Sequence, residues 1–189
     1  MIKKIEEELK LTSRVILNTK KLKVIIARVV NMICECYLSG GKVVLFGNGG
    51  SAADAQHIAA EFVVKFLKKR ESLPAIALTV NTSILTAVSN DFDFKYCFSR
   101  QVESLVKAND VVIGISTSGN SPNVIEGLKK AKEIGAKTVG FAGKNKCKIE
   151  EIVDACIKIP SDKTYHIQEG HIIVLHLICK LVEEKLYEN

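Results

Sequence analysis

At 189 residues, 47% of them hydrophobic, the chain can bury a sizeable core without needing a second domain, so residues 1–189 read as one domain. A net charge of +6 comes with 6% aromatics and no tryptophan, and the lysines mostly sit among acidic residues, which argues against a nucleic-acid partner and for a solvated surface that draws small anions. Met1 to Lys10 is charged from the start and is not a secretory signal, Ile172 to Val182 falls short of the roughly 20 residues that span a bilayer, and six cysteines lack CxxC spacing, so we expect a cytoplasmic protein with reduced thiols and no membrane contact.

In chain order, Ile2, Ile5, Leu9 and Ile16, then Leu22, Ile25, Ile26, Val29, Ile33 and Tyr37, recur at helical spacing and predict a helical hairpin over residues 1–39, integral to the domain. Gly40 and Gly41 end it. Short apolar runs then alternate with helical patterns: strands are expected at Lys42–Gly47, Ala75–Thr79, Val111–Ser116, Lys137–Ala142 and Ala155–Pro160. Helices are expected at Ala52–Lys69, Ser83–Asn90, Phe94–Lys107 and Pro122–Ile134, with a closing helix at about Thr164–Tyr187. The fold class is therefore α/β: a doubly wound five-stranded parallel sheet with an N-terminal helical hairpin and a long C-terminal helix. The closing helix is apolar almost all round, so it and the hairpin are expected to pack partly against other subunits.

Ligands of such sheets bind beyond the carboxyl ends of the strands, and two strand-to-helix turns there carry unusual sequences. GNGGS, Gly47 to Ser51, supplies glycines for a tight turn and Ser51 as a helix N-cap. STSGNSP follows the third strand, with Ser116, Thr117, Ser118 and Ser121 around Gly119 and Pro122 at the first helical position. Hydroxyls leading into a helix N-terminus suit a phosphate, and the absence of GxxxxGK[ST] excludes a P-loop. On the helix after GNGGS, His57 and Glu61 stand four residues apart, while the closing helix carries Gln168, His171 and His176 in apolar surroundings. Facing one another, such groups can hold a divalent metal; the plain alternative is an ordinary helix-surface pair.

Taken together, GNGGSAADAQHIAAE (Gly47 to Glu61), NDF (Asn90 to Phe92), GISTSGNSPNV (Gly114 to Val124) and IQEGHIIVLH (Ile167 to His176) resemble the phosphoheptose isomerases of the sugar isomerase (SIS) domain superfamily. The resemblance implies the SIS fold and a homotetramer with its sites between subunits. It implies conversion of sedoheptulose 7-phosphate to D-glycero-D-manno-heptose 7-phosphate, for bacterial surface heptose in lipopolysaccharide or capsule. By similarity, Ser116, Thr117, Ser118 and Ser121 hold the phosphate, and Asn48, Gly49, Gly50, Ser51, Asn90, Asp91 and Gln168 line the sugar site. Glu61 and His176 match the catalytic pair, and His57, Glu61, Gln168 and His176 match the ligands of one Zn2+ per subunit. Lys65 and His166 stand where the family often has arginines, and neither side chain offers the same bidentate fork.

Isomerisation of a ketose needs a base, an acid and something to stabilise an enediolate; Glu61 is expected as the base and His176 as its acid partner. A carboxylate bound to zinc is a weaker base, so Glu61 cannot fully serve both roles at once. Two other readings differ in kind: a non-catalytic SIS protein that binds the replication initiator, and an isomerase of another sugar phosphate. The full set His57, Glu61, Gln168 and His176 favours the enzyme.

Overall fold

The computed structural model describes residues 1–187. Two helices, α1 (Ile2–Asn18) and α2 (Lys23–Leu38), are joined by a 3₁₀ turn at Thr19–Leu22. Then follow β1 (Val43–Gly47), α3 (Gly50–Val63), β2 (Ala75–Ala77), α4 (Thr82–Asp91), α5 (Ser99–Leu105), β3 (Val111–Ile115), α6 (Pro122–Ile134), β4 (Lys137–Gly143), α7 (Lys148–Ile152), β5 (Ala155–Ile159) and α8 (Thr164–Tyr187). The sheet runs β2-β1-β3-β4-β5, every pair parallel, with Val43 in register with both Ala75 and Val111.

Parallel strands covered on both faces have no solvated side, which is why all five residues of β1 and of β3 are buried. Alternate residues feed two separate cores. Leu45, Ile113 and Phe141 pack with α2, α3 and α8 on one face, and Val44, Phe46 and Val112 pack with α5 and α6 on the other. Strand order reverses between β1 and β3, so the turns GNGGS and STSGNS flank the topological switch point.

Three expectations change. The helix expected to reach Lys69 ends at Val63, because the Arg70 guanidinium takes two of its last carbonyls and a new turn begins there. The helix expected over Phe94–Lys107 is broken into a 3₁₀ turn at Phe94–Tyr96 and α5, where Asp93 caps the turn by accepting from Lys95 N. A five-residue helix, α7, lies in a stretch for which no element was expected, too short for a visible period. The six cysteines are free, and all but Cys156 are buried; burial pushes the Cys179 thiol up to about 12. Among the described residues, no helix is long and apolar enough to cross a membrane.

Candidate active site

The hydroxyl-rich loop closes on itself. Ser116, buried at the end of β3, shares hydrogen bonds with the hydroxyls of Ser121 at 2.8 Å and Ser118 at 3.4 Å. Gly119 turns this cluster with φ +63°, a left-handed conformation that side chains resist, and a Cβ there would also run into the Cys147 thiol. Pro122 opens α6 with Ser121 as N-cap, yet the Ser121 hydroxyl does not cap the helix; it faces Ser116 instead. Thr117 and Ser118 border a cavity of about 200 Å³ whose far wall includes Asn145, Ser161 and Asp162.

The glycine turn faces this loop across the switch point. Gly49, with φ +56°, is the N-cap of α3, two residues earlier than the expected Ser51, because the glycine-only backbone angle lets the helix begin at Gly50. Ser51 is buried in the first turn, its N–H donating to Asn48 O at 3.0 Å. Asn48 and Asn123 exchange a pair of side-chain hydrogen bonds at 2.9 and 2.8 Å, which ties the two loops together. Asn123 was not singled out from the sequence. Its signal was a polar side chain one residue after the N1 proline, where a helix N-terminus meets a ligand loop.

α3 and α8 lie side by side and parallel. Gly50 meets Gln168 so closely that a Cβ on it would stand 2.5 Å from Gln168 Nε2, and seven residues further on His57 meets His176, eight residues after Gln168. His57 Nε2 is 2.9 Å from His176 Nε2 and 3.5 Å from Glu61 Oε1, so three of the expected groups converge on one seam. Phe66 stacks on the His176 ring at 5.6 Å and the two imidazoles meet edge to face at 5.1 Å, which fixes both rings. Half-buried on this seam, Glu61 retains access to solvent. Gln168 lies about 12 Å before His176 along α8, at 1.5 Å per residue. Asn90 and Asp91 end α4, exposed and hydrogen-bonded to each other at 2.7 Å, apart from the seam. Lys65 is exposed beyond α3.

The other histidines of α8 do structural work. His166 Nδ1 joins Thr12 Oγ1 at 3.2 Å and Glu169 Oε2 at 3.0 Å, pinning α1 to α8. His171 is wholly buried, its Nε2 3.3 Å from Ala142 O and its Nδ1 without a partner; burial drives its pKa down to about 4. Beyond the seam, Glu183 accepts from the backbone N–H groups of Phe66 and Leu67 at 3.1 Å each, and also from that of Lys68. Burial opposes its ionisation most strongly, but those three donors and the Arg70 charge outweigh it and hold the carboxyl below its ordinary value.

A nest of hydroxyls beside a switch point and a separate seam of imidazoles and a carboxylate suit a sugar-phosphate enzyme of the SIS type, and residues 9–143 match the SIS domain. Curated relatives are phosphoheptose isomerase 1 of Campylobacter jejuni, 47% identical over 97% of this chain and 99% of the relative, and phosphoheptose isomerase of Aquifex aeolicus, 55% identical over 87% and 86%. The solved phosphoheptose isomerase of Neisseria gonorrhoeae superposes with a TM-score of 0.91 at 37% identity, covering 96% of this chain and 98% of that one. The chain belongs to the phosphoheptose isomerase family, and it is an isomerase.

Proposed function

We propose that the chain interconverts sedoheptulose 7-phosphate and D-glycero-D-manno-heptose 7-phosphate through an enediol, at the start of heptose supply for bacterial lipopolysaccharide or capsule. The observation that carries this reading is the convergence of His176 from α8 on His57 and Glu61 from α3. Glu61 removes the proton from C1, exchanges it with solvent in part, and delivers a proton to C2, while His176 moves the hydroxyl protons between O1 and O2. Ser116, Thr117, Ser118 and Ser121 hold the phosphate, whose binding energy orients the reacting carbons without joining the chemistry. His57 and Glu61 stand about 10 and 16 Å beyond Gly50 along α3. That separation supports a homotetramer in which one subunit's loop serves another's seam, with Asn90, Asp91 and Gln168 lining the sugar. The exposed apolar side chains of α1 support it too.

The donors also suit one zinc ion per subunit. Two imidazole nitrogens and a carboxylate oxygen are zinc's usual partners, and the distances of 2.9 and 3.5 Å bracket the roughly 3.4 Å edge of a tetrahedron with zinc bonds near 2.1 Å. Among the described residues no assembled cluster of three such ligands is present, and the 2.9 Å separation is a hydrogen bond that must open slightly. His57, Glu61 and His176 would hold the ion, which when bound would polarise the sugar carbonyl as a Lewis acid; Gln168, about 12 Å from His176 along its own helix, would complete the set only from another subunit.

A product assay by NMR tests the reading, with sedoheptulose 7-phosphate run beside five- and six-carbon ketose phosphates in D2O. The expected result is an aldoheptose phosphate labelled at C2, formed at least about 10-fold faster than any shorter product. Turnover of the shorter sugars alone would overturn the substrate, and deuterium carried at a carbon other than C1 or C2 would overturn the 1,2-enediol.

A further inference from the structure

Helix α3 ends two residues after Glu61, and its last carbonyls need donors. Ala60 O accepts from Val64 N at 2.9 Å; the next two are taken by one side chain, Arg70 Nη2 reaching Glu61 O at 2.9 Å and Nη1 reaching Phe62 O at 2.8 Å. The guanidinium is 2% exposed, and so is the Glu183 side chain, whose Oε2 lies 3.6 Å from Arg70 Nε. Glu183 in turn gathers the N–H groups of Phe66, Leu67 and Lys68, the turn whose Phe66 ring stacks on His176. It stands seven residues after His176 on α8, two turns along the same stripe that faces α3. A buried pair therefore spans the two helices just past the seam. One end grips the backbone of Glu61 itself; the other is carried by the helix that bears His176.

We propose that Arg70 and Glu183 are positioning residues that set the separation between Glu61 and His176 by locking the end of α3 to α8. The inference rests on the proposed roles of Glu61 and His176. A buried ion pair is weak evidence for stability, since apolar replacements of equal volume often do as well, whereas the hydrogen bonds its two members make to fixed backbone groups, from the guanidinium to Glu61 O and Phe62 O and to the carboxylate from the turn at Phe66, set geometry that an apolar contact would not. The guanidinium alone spans two adjacent carbonyls of one helix turn. Lysine at position 70 keeps the charge and loses that span.

The test compares Arg70→Lys and Glu183→Gln with wild type and with Lys130→Gln, which breaks only the exposed Lys130–Glu133 pair. The readouts are kcat and KM for sedoheptulose 7-phosphate, inhibition by inorganic phosphate, and the ring NMR signals of the four histidines, all taken well below each variant's Tm. In the two variants kcat is expected to fall by about 10-fold to 100-fold with KM and phosphate inhibition within about twofold, as a small misplacement of reacting groups predicts. The His57 and His176 signals shift and that of His171 stays. A kcat within about twofold of wild type, or KM and phosphate inhibition weakening by the factor that kcat loses, overturns the proposal. Should Glu183→Gln not fold, Glu183→Asp replaces it under the same criteria. If wild type does not turn over this sugar, the functional reading fails separately, and the histidine signals alone decide: unmoved His57 and His176 overturn the positioning role.

Discussion

Side chains that trade protons must meet, and Glu61 and His176 meet through His57 on a seam open to solvent on one side. Removing either ionisable group while keeping its shape tests this directly. Glu61→Gln and His176→Gln are each expected to lower kcat by about 10²-fold to 10⁴-fold with unchanged inhibition by inorganic phosphate, because the phosphate loop belongs to other elements. A rate within about 10-fold of wild type in either variant rules that residue out of the proton transfers. His171 offers a separate check by pH. Its folded pKa of about 4 lies below the ordinary histidine value of 6.5, so the unfolded chain binds its proton first as pH falls. Its contribution to stability, about 3 kcal/mol by linkage, is present above pH 6.5 and is lost progressively toward pH 4. Thermal melts across that window should show Tm falling with pH, with a shallower slope in His171→Gln. Which residues were legible follows from the same physics. Ser116 to Ser121 could be recognised because hydroxyl density and a flanking N1 proline are local signals, whereas Asn123, Arg70 and Glu183 act through partners 8 to 117 residues away.

Between α3 and α8, Gly50 lies hard against Gln168, at the start of the seam that ends with Glu183. Because Gly50 is not held at a positive φ and the obstructing atom is the tip of a flexible amide, alanine there should be accommodated by swinging Gln168 away. Gly50→Ala is thus expected to leave Tm within a few degrees and to lower kcat/KM by about 10-fold or more; an unchanged kcat/KM would show that Gln168 need not stand where it does. Gly119→Ala makes the contrasting case. There a positive φ and backbone-anchored neighbours, Cys147 Cβ at 2.6 Å and Ala142 Cβ at 3.1 Å, leave no easy escape. Strain of about 1–3 kcal/mol, and a Tm lower by several degrees, should accompany loss of phosphate inhibition. Strand positions were readable to within two residues at each end because buried parallel strands are uninterrupted apolar runs, and a β-to-α alternation admits few topologies. The end of α3 was not readable, since the residues from Val64 to Lys69 continue a helical pattern and only a carboxylate from α8 draws their N–H groups into a turn.

At the scale of the whole molecule, the N-terminal helix is the anomaly. α1 has no buried residue, and Ile2, Ile5 and Leu9 are 76%, 51% and 62% exposed, although their spacing makes an apolar stripe that in water would rather be covered. Beside it a groove of about 360 Å³, walled by Ile16, Leu17, Ile26, Leu177 and Leu181, runs along α8. α1 and α2 both rest on α8, the helix that carries His176, and the groove lies between them. Cover for these surfaces from further copies of the chain would therefore brace the helix that bears His176 as well as bury apolar area. Sedimentation equilibrium at micromolar concentration is expected to give four times the chain mass. Leu9→Lys, which places a charge in the middle of the stripe, should shift that mass downward and reduce kcat, though residue 9 touches none of the proposed catalytic groups. A wild-type monomer, or a dissociated variant with full activity, would show that each subunit completes its own site and that α1 plays no part in catalysis.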